Sequence, residues 1–123
     1  MSVDRLSHGA LKKILGGEVI DNATCVVKFY SNTCHLCHNL KDYFEDISDN
    51  EKFSDLYFFA FNVGDYPKIE RMLNFSGVPT ISVIKTKPGQ KNPKIRIMPE
   101  PDPPNEKTWY YTNDINNFID KER

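Results

Sequence analysis

Thr24-Cys25-Val26-Val27-Lys28-Phe29-Tyr30, then Ser31-Asn32-Thr33, then Cys34-His35-Leu36-Cys37: the architecture follows from this stretch. Its first seven residues are mostly β-branched or aromatic, with apolar side chains on both alternating faces, as in a central strand covered on both sides. Ser31-Asn32-Thr33 breaks the run, because all three residue types favour turns and helix caps. Beyond it, Leu36, Leu40, Tyr43, Phe44 and Ile47 recur at helical spacing and predict an amphipathic helix from about Cys34 to Ser48. A buried strand that turns directly into a helix is the repeating unit of sheets with parallel neighbours.

Working outward, Leu6, Ala10, Leu11, Ile14 and Leu15 place one apolar stripe on a helix over about residues 4–16, which Gly16-Gly17 ends. Downstream, Asp49-Asn50-Glu51-Lys52 is a polar break, and Leu56 to Val63 reads as a second buried strand. Gly64-Asp65 turns the chain. Pro67 suits the first position of a short helix, with Asp65 as acceptor upstream and Ile69, Met72 and Leu73 facing inward. Asn74-Phe75-Ser76-Gly77 closes it. Thr80 to Ile84 is a third strand, Pro88-Gly89-Gln90 a turn, and Lys94-Ile95-Arg96-Ile97 an edge strand with its charges in water. Residues 98–105 carry four prolines, so the proline-rich stretch 99–105 is a surface loop. Trp109-Tyr110-Tyr111 is expected to add a short strand, and either anchors this loop or faces a partner. Thr112 or Asn113 is expected to cap a last helix bearing Ile115, Phe118 and Ile119. The fold class is therefore α/β: a central mixed sheet of four to five strands sandwiched by helices, in one domain over residues 1–123.

Composition bounds the function. With 123 residues and 39 % hydrophobic content, the chain is long enough for one core without staples and too apolar to be disordered. A net charge of −1 argues against a nucleic-acid module built on massed basic charge. Apolar runs such as Leu56 to Phe61 are too short to span a membrane. Met1-Ser2-Val3-Asp4-Arg5 lacks the basic-then-apolar profile of a secretory leader. The expectation is a cytoplasmic monomer that binds neither nucleic acid nor membrane. Three cysteines, Cys25, Cys34 and Cys37, do not make a disulfide scaffold, and the C-x-x-C spacing of two of them points to redox chemistry or metal binding.

Cys34 and Cys37 stand at i and i+3 on the first helical turn, about 5–6 Å apart and within disulfide range. At the N-terminus of a helix, unpaired N–H groups and the positive end of the macrodipole stabilise a thiolate. Cys34 is then the exposed attacking sulfur, and Cys37, one turn further in, is the shielded one that resolves a mixed disulfide.

Here the chain resembles the thioredoxin family. The resemblance rests on Val26-Val27-Lys28-Phe29-Tyr30, on Cys34-His35-Leu36-Cys37 opening a helix, and on Gly77-Val78-Pro79-Thr80 before a further strand. It covers roughly residues 18–98. It implies a thioredoxin-like fold, a cis Pro79 facing the cysteine pair, and a Val78 backbone that pairs with an incoming substrate strand. It further implies thiol–disulfide exchange on protein disulfides without a bound cofactor, with electrons from a separate reductase or small thiol. Several positions depart from the family pattern. Thr33 stands where thioredoxins usually have tryptophan, His35-Leu36 where they have Gly-Pro, and Lys28 where an acid is common behind the second cysteine. Asp42 replaces a helix-kinking proline.

These departures make Thr33, His35, Leu36 and Lys28 the positions expected to modulate the pair. A buried ammonium is costly unless paired or snorkelled. Lys28 therefore either reaches solvent or an acid, or lies behind Cys37 and favours its thiolate, which makes the couple more oxidising. His35 either adds positive charge beside Cys34 or is a solvated residue that shapes substrate contact. His38 is expected on the surface. Cys34 to His38 also fits the C-x-x-C-H haem-attachment pattern, and two Cys with two His suggest zinc on paper. Helical geometry spreads these residues too widely for one tetrahedral centre, so no metal and no cofactor is expected. Cys25 is read as a small buried hydrophobe. The competing function is a non-catalytic thioredoxin-like interaction module or partner subunit, which has no need of the cysteine pair.

Overall fold

A computed structural model describes residues 3–123. Met1 and Ser2, part of the stretch read for a leader, lie outside the described residues. Five strands form one sheet in the order β1-β3-β2-β4-β5. They are β1 (Val3–Arg5), β2 (Ala23–Tyr30), β3 (Tyr57–Asn62), β4 (Thr80–Thr86) and β5 (Lys94–Ile97). The helices are α1 (His8–Leu15), α2 (His35–Ser48), α3 (Ile69–Leu73) and α4 (Thr112–Glu122). Strand β2 is parallel to β3 and antiparallel to β4, β1 is parallel to β3, and β4–β5 is an antiparallel hairpin. No helix among the described residues is long and apolar enough to cross a membrane.

The alternation of β2 assigns its side chains to two cores. Cys25, Val27 and Phe29 join Leu11, Ile14 and Ile69 beneath α1 and α3. Val26 joins Leu40, Phe44, Phe58, Tyr110, Ile115 and Ile119 beneath α2 and α4. Lys28, two residues beyond Val26, therefore points toward α2. Its sheet neighbours are Ala60 on β3 and Ile81 on β4.

Several local expectations are corrected. The segment 4–16 is not one helix: Val3–Arg5 is an edge strand, and α1 starts at His8 behind Ser7, whose hydroxyl accepts from the Ala10 N–H at 3.1 Å. Leu6 is buried in the connection, and its offset from Ala10 only imitates a helical stripe. Cys34 is not on the first turn of α2 but is its N-cap. Tyr43 and Met72 are exposed, because the sheet-facing stripes of α2 and α3 are narrower than apolarity suggests. Pro67 precedes α3 without opening it. Asp65 ends a 3-10 turn and pairs with Arg5 at 2.9 Å rather than capping the helix. Trp109 makes only an isolated bridge to Asn105, so no strand forms there. Tyr110 instead sinks into the core. No side chain caps α4, which begins at Thr112 with Tyr111 before it.

Candidate active site

Two sequence signals, distant in the chain, meet at the ends of β2 and β4. Cys34 and Cys37 are joined by a disulfide with their Cα atoms 5.2 Å apart. Cys34 closes the helix end with its sulfur: Sγ accepts from the Cys37 N–H at 3.0 Å. An N-cap acceptor is usually an oxygen. A sulfur in this place gains most from the cap when it carries the charge, so the cap itself favours the Cys34 thiolate on reduction. Cys34 is partly exposed, whereas Cys37 is only 3 % exposed. That difference separates an attacking sulfur from a resolving one.

Cys34 Sγ lies 3.7 Å from the Val78 carbonyl oxygen. The Val78–Pro79 peptide bond is cis. Gly77 has φ of +86°, a conformation that suits glycine. Its N–H donates to Glu70 Oε2 at 2.8 Å, and its carbonyl accepts from Thr80 Oγ1 at 2.8 Å. These bonds hold the Gly77-Val78-Pro79 turn against the disulfide. Sequence reasoning missed Glu70, because a single acid on a short helix carries no signal of the turn it braces.

Beside this turn runs a groove of about 520 Å³, walled by Leu36, Val78, Ile97, Glu100 and Trp109 among others. Trp109 has φ of +66°, uncommon for a bulky residue. Reciprocal backbone bonds with Asn105 hold it, at 2.9 and 2.8 Å. Asn39 Nδ2, on α2, donates to the Lys107 carbonyl at 2.8 Å and ties this loop to the cysteine-bearing helix. The loop is thus a wall of the groove, and Trp109 serves both as its anchor and as part of its surface.

Lys28 is 4 % exposed and opens onto a second cavity of about 370 Å³, which it shares with Cys37, His38, Lys41 and Glu45. Burial, aided by the Lys41 ammonium, pushes its pKa down to about 8 against the opposing pull of Glu45 and Asp42. Its Nζ stands over the rings of Phe44 at 5.4 Å and Tyr30 at 5.8 Å. Thr33, His35 and His38 are exposed, and Leu36 is half-buried in the groove wall. Cys25 lies buried on the opposite face, where desolvation pushes its thiol up to about 11. A thiol so raised is expected to stay unalkylated in the native protein at neutral pH and to react only on unfolding; peptide mapping after iodoacetamide treatment checks this.

The Thioredoxin family profile matches residues 12–100. Comparison with curated proteins gives no match. Among solved structures, a Schistosoma mansoni thioredoxin superposes with a TM-score of 0.67 at 20 % identity, covering 99 % of this chain and 96 % of its own. The reduced Schistosoma mansoni thioredoxin pre-protein gives 0.64 at 24 % identity, with 97 % and 95 % covered. Malassezia sympodialis thioredoxin gives 0.64 at 18 % identity, with 98 % and 90 % covered.

Proposed function

The chain belongs to the thioredoxin family, and on that premise we propose that it exchanges its Cys34–Cys37 disulfide with disulfides of protein substrates. Thiol–disulfide oxidoreductase chemistry is the general activity that this family and this cysteine pair support. In the reductive direction, the Cys34 thiolate attacks a substrate disulfide and one substrate sulfur leaves. Cys37 then attacks Cys34, the second substrate sulfur leaves, and the chain is left oxidised. Val78 and Pro79 present the backbone against which an extended substrate segment lies. Thr33, His35 and Leu36 shape its approach to Cys34. A separate reductase or small thiol returns the electrons, and the cycle needs no bound cofactor. The protein acts as a monomer, and we assign it to the cytoplasm on its cysteine usage, a redox pair and one buried thiol.

One observation carries this reading: the sulfur at the N-cap of α2 is the partly exposed member of the bonded pair and lies against the Val78 turn. The test is turnover of a disulfide-bonded protein with a dithiol donor, followed by equilibration of the pair with glutathione. Catalysed reduction is expected. So is a potential above the thioredoxin value of about −270 mV, because a lysine in place of an acid favours the reduced state. A chain that equilibrates with glutathione but never with a protein disulfide contradicts the substrate assignment.

A further inference from the structure

The groove beside the Gly77-Val78-Pro79 turn has a far wall that the exchange steps above leave unused. Met98, Pro99 and Glu100 form one end of it, Trp109 and Tyr110 the other, and the loop between them is fixed before any substrate arrives. The Met98 N–H donates to the Ile81 carbonyl at 2.8 Å, which carries the β4–β5 ladder into the loop. The Asn39 amide and the paired backbones of Asn105 and Trp109 hold the far end. Asn105 Oδ1 accepts from the N–H groups of Lys107 and Thr108 at 2.8 and 3.2 Å. Pro99, Pro101, Pro103 and Pro104 remove much of the remaining backbone freedom. A wall so held binds with little ordering cost.

An apolar lining surrounds one charge. Leu36, Phe75, Val78, Ile97 and Trp109 present carbon, and Glu100 is the only charged residue among the described residues that line the groove. Glu100 makes no ion pair among the described residues. Its charge is felt inside the groove: burial first, and then the Glu100 carboxylate, push the pKa of the Tyr110 phenol up. Leu36 stands between the two cysteines and the Val78 carbonyl lies against Cys34 Sγ, so a segment joined to Cys34 enters this groove. An acidic chain there meets the Glu100 carboxylate unfavourably. An arginine brings a planar cation that pairs with a carboxylate and lies on an aromatic ring, and Glu100 and Trp109 supply one of each.

We propose that the 98–110 loop selects substrates, and that the segment it takes is extended and carries an arginine within a few residues of its disulfide cysteine, the guanidinium on Glu100 and Trp109 and its apolar neighbours against Leu36 and Ile97. This rests on the exchange reading above and names the substrate class within it. The bonds made and broken are those of that reading; Glu100 and Trp109 act on binding and not on the sulfurs.

The probe is a set of short peptides, each with one cysteine carried as its neutral pyridyl disulfide and flanked by arginine, glutamine or glutamate. Attack by Cys34 of the reduced full chain releases pyridinethione and leaves the peptide on Cys34. Hydroxyethyl disulfide, too small to reach the loop, gives the reactivity of Cys34 itself, and each peptide rate is divided by it. At low salt the arginine peptide is expected to react roughly 5-fold or more faster than the glutamate peptide, with glutamine between, and the spread is expected to shrink as salt rises. Glu100→Arg is expected to reverse the order. Asp102→Arg, exposed on the same loop and outside the groove lining, is expected to preserve it. Trp109 is the chain's one tryptophan. Its emission is expected to shift when the arginine peptide is trapped on the Cys37→Ser chain and to stay unmoved when 2-mercaptoethanol is trapped there. Rates that ignore peptide charge overturn the proposal, as do a reversal by Asp102→Arg equal to that by Glu100→Arg and an emission that the peptide leaves unmoved. A chain inert toward hydroxyethyl disulfide and every peptide refutes the exchange reading itself, whereas one that attacks all of them without regard to charge refutes the arginine selection alone.

Discussion

Replacing Cys34 with serine is expected to lower disulfide reduction by roughly 10³-fold or more, the scale on which covalent enzymes lose rate without their nucleophile. The Cys37→Ser variant should behave differently. The group that caps Cys34 Sγ is the backbone N–H of residue 37, at 3.0 Å, and serine retains it. The Cys34 thiolate therefore keeps its stabilisation and still attacks. Turnover should stop after a single attack, with substrate held on Cys34 as a mixed disulfide, because the sulfur that resolves it is gone. Intact-mass measurement after incubation with a disulfide-bonded protein checks both halves. A stoichiometric adduct on Cys37→Ser and none on Cys34→Ser is the expected result. Equal adducts on both variants would contradict the assignment of roles, which rests on the difference in exposure between the two sulfurs.

Replacing Lys28 with methionine is expected to stabilise the oxidised protein by up to about 3 kcal/mol at neutral pH, since each unit of pKa displacement corresponds to about 1.4 kcal/mol. The sign follows from linkage. Folding lowers the Lys28 pKa from 10.5 to about 8. Below about pH 8 both folded and unfolded chains carry the proton, and the full cost of burying the ammonium falls on the folded state. Between about 8 and 10.5 the unfolded chain holds a proton that the folded chain does not, so stability rises with pH. Above that window the cost is gone. Cys25 opposes this: its folded pKa is raised to about 11, so its contribution is present below its unfolded value of 9.0 and is lost as pH rises through 11. The informative quantity is therefore the difference between wild type and Lys28→Met in urea unfolding across this range. It should be largest below pH 8 and shrink toward zero above 10.5. A difference that is flat with pH would show that Lys28 is held without strain on its charge.

Much of this molecule was legible in residue order. Val26, Val27 and Phe29 put apolar side chains on both faces because β2 is covered on both, and period two made that visible. The C-x-x-C pair announced its chemistry because an i, i+3 spacing at a helix start brings two sulfurs within bonding range whatever else the chain does. The family resemblance added the Gly77-Val78-Pro79-Thr80 turn to the same site. Less was legible where several weak local preferences competed. Leu6 fitted a helical stripe, but the open edge of β3 took Val3–Arg5 as a strand, since pairing with an exposed edge outweighs a short helix of modest propensity. Tyr110 looked like part of a strand, yet the space between β4 and α4 buried it.

Strand and helix periods, the cysteine spacing and the turn residues all act over a few positions, so the order of elements and the nature of the reaction are written along the chain. Which groups surround the sulfurs is not. Val78 against Cys34, Trp109 and Glu100 beside the same turn, and Glu45 across a cavity from Lys28 are all neighbours made by packing. The cost of burying Lys28 illustrates the division. Sequence placed a lysine on a central strand facing α2, and the fold then buried it with no ion pair to an acid among the described residues, so that its charge became costly.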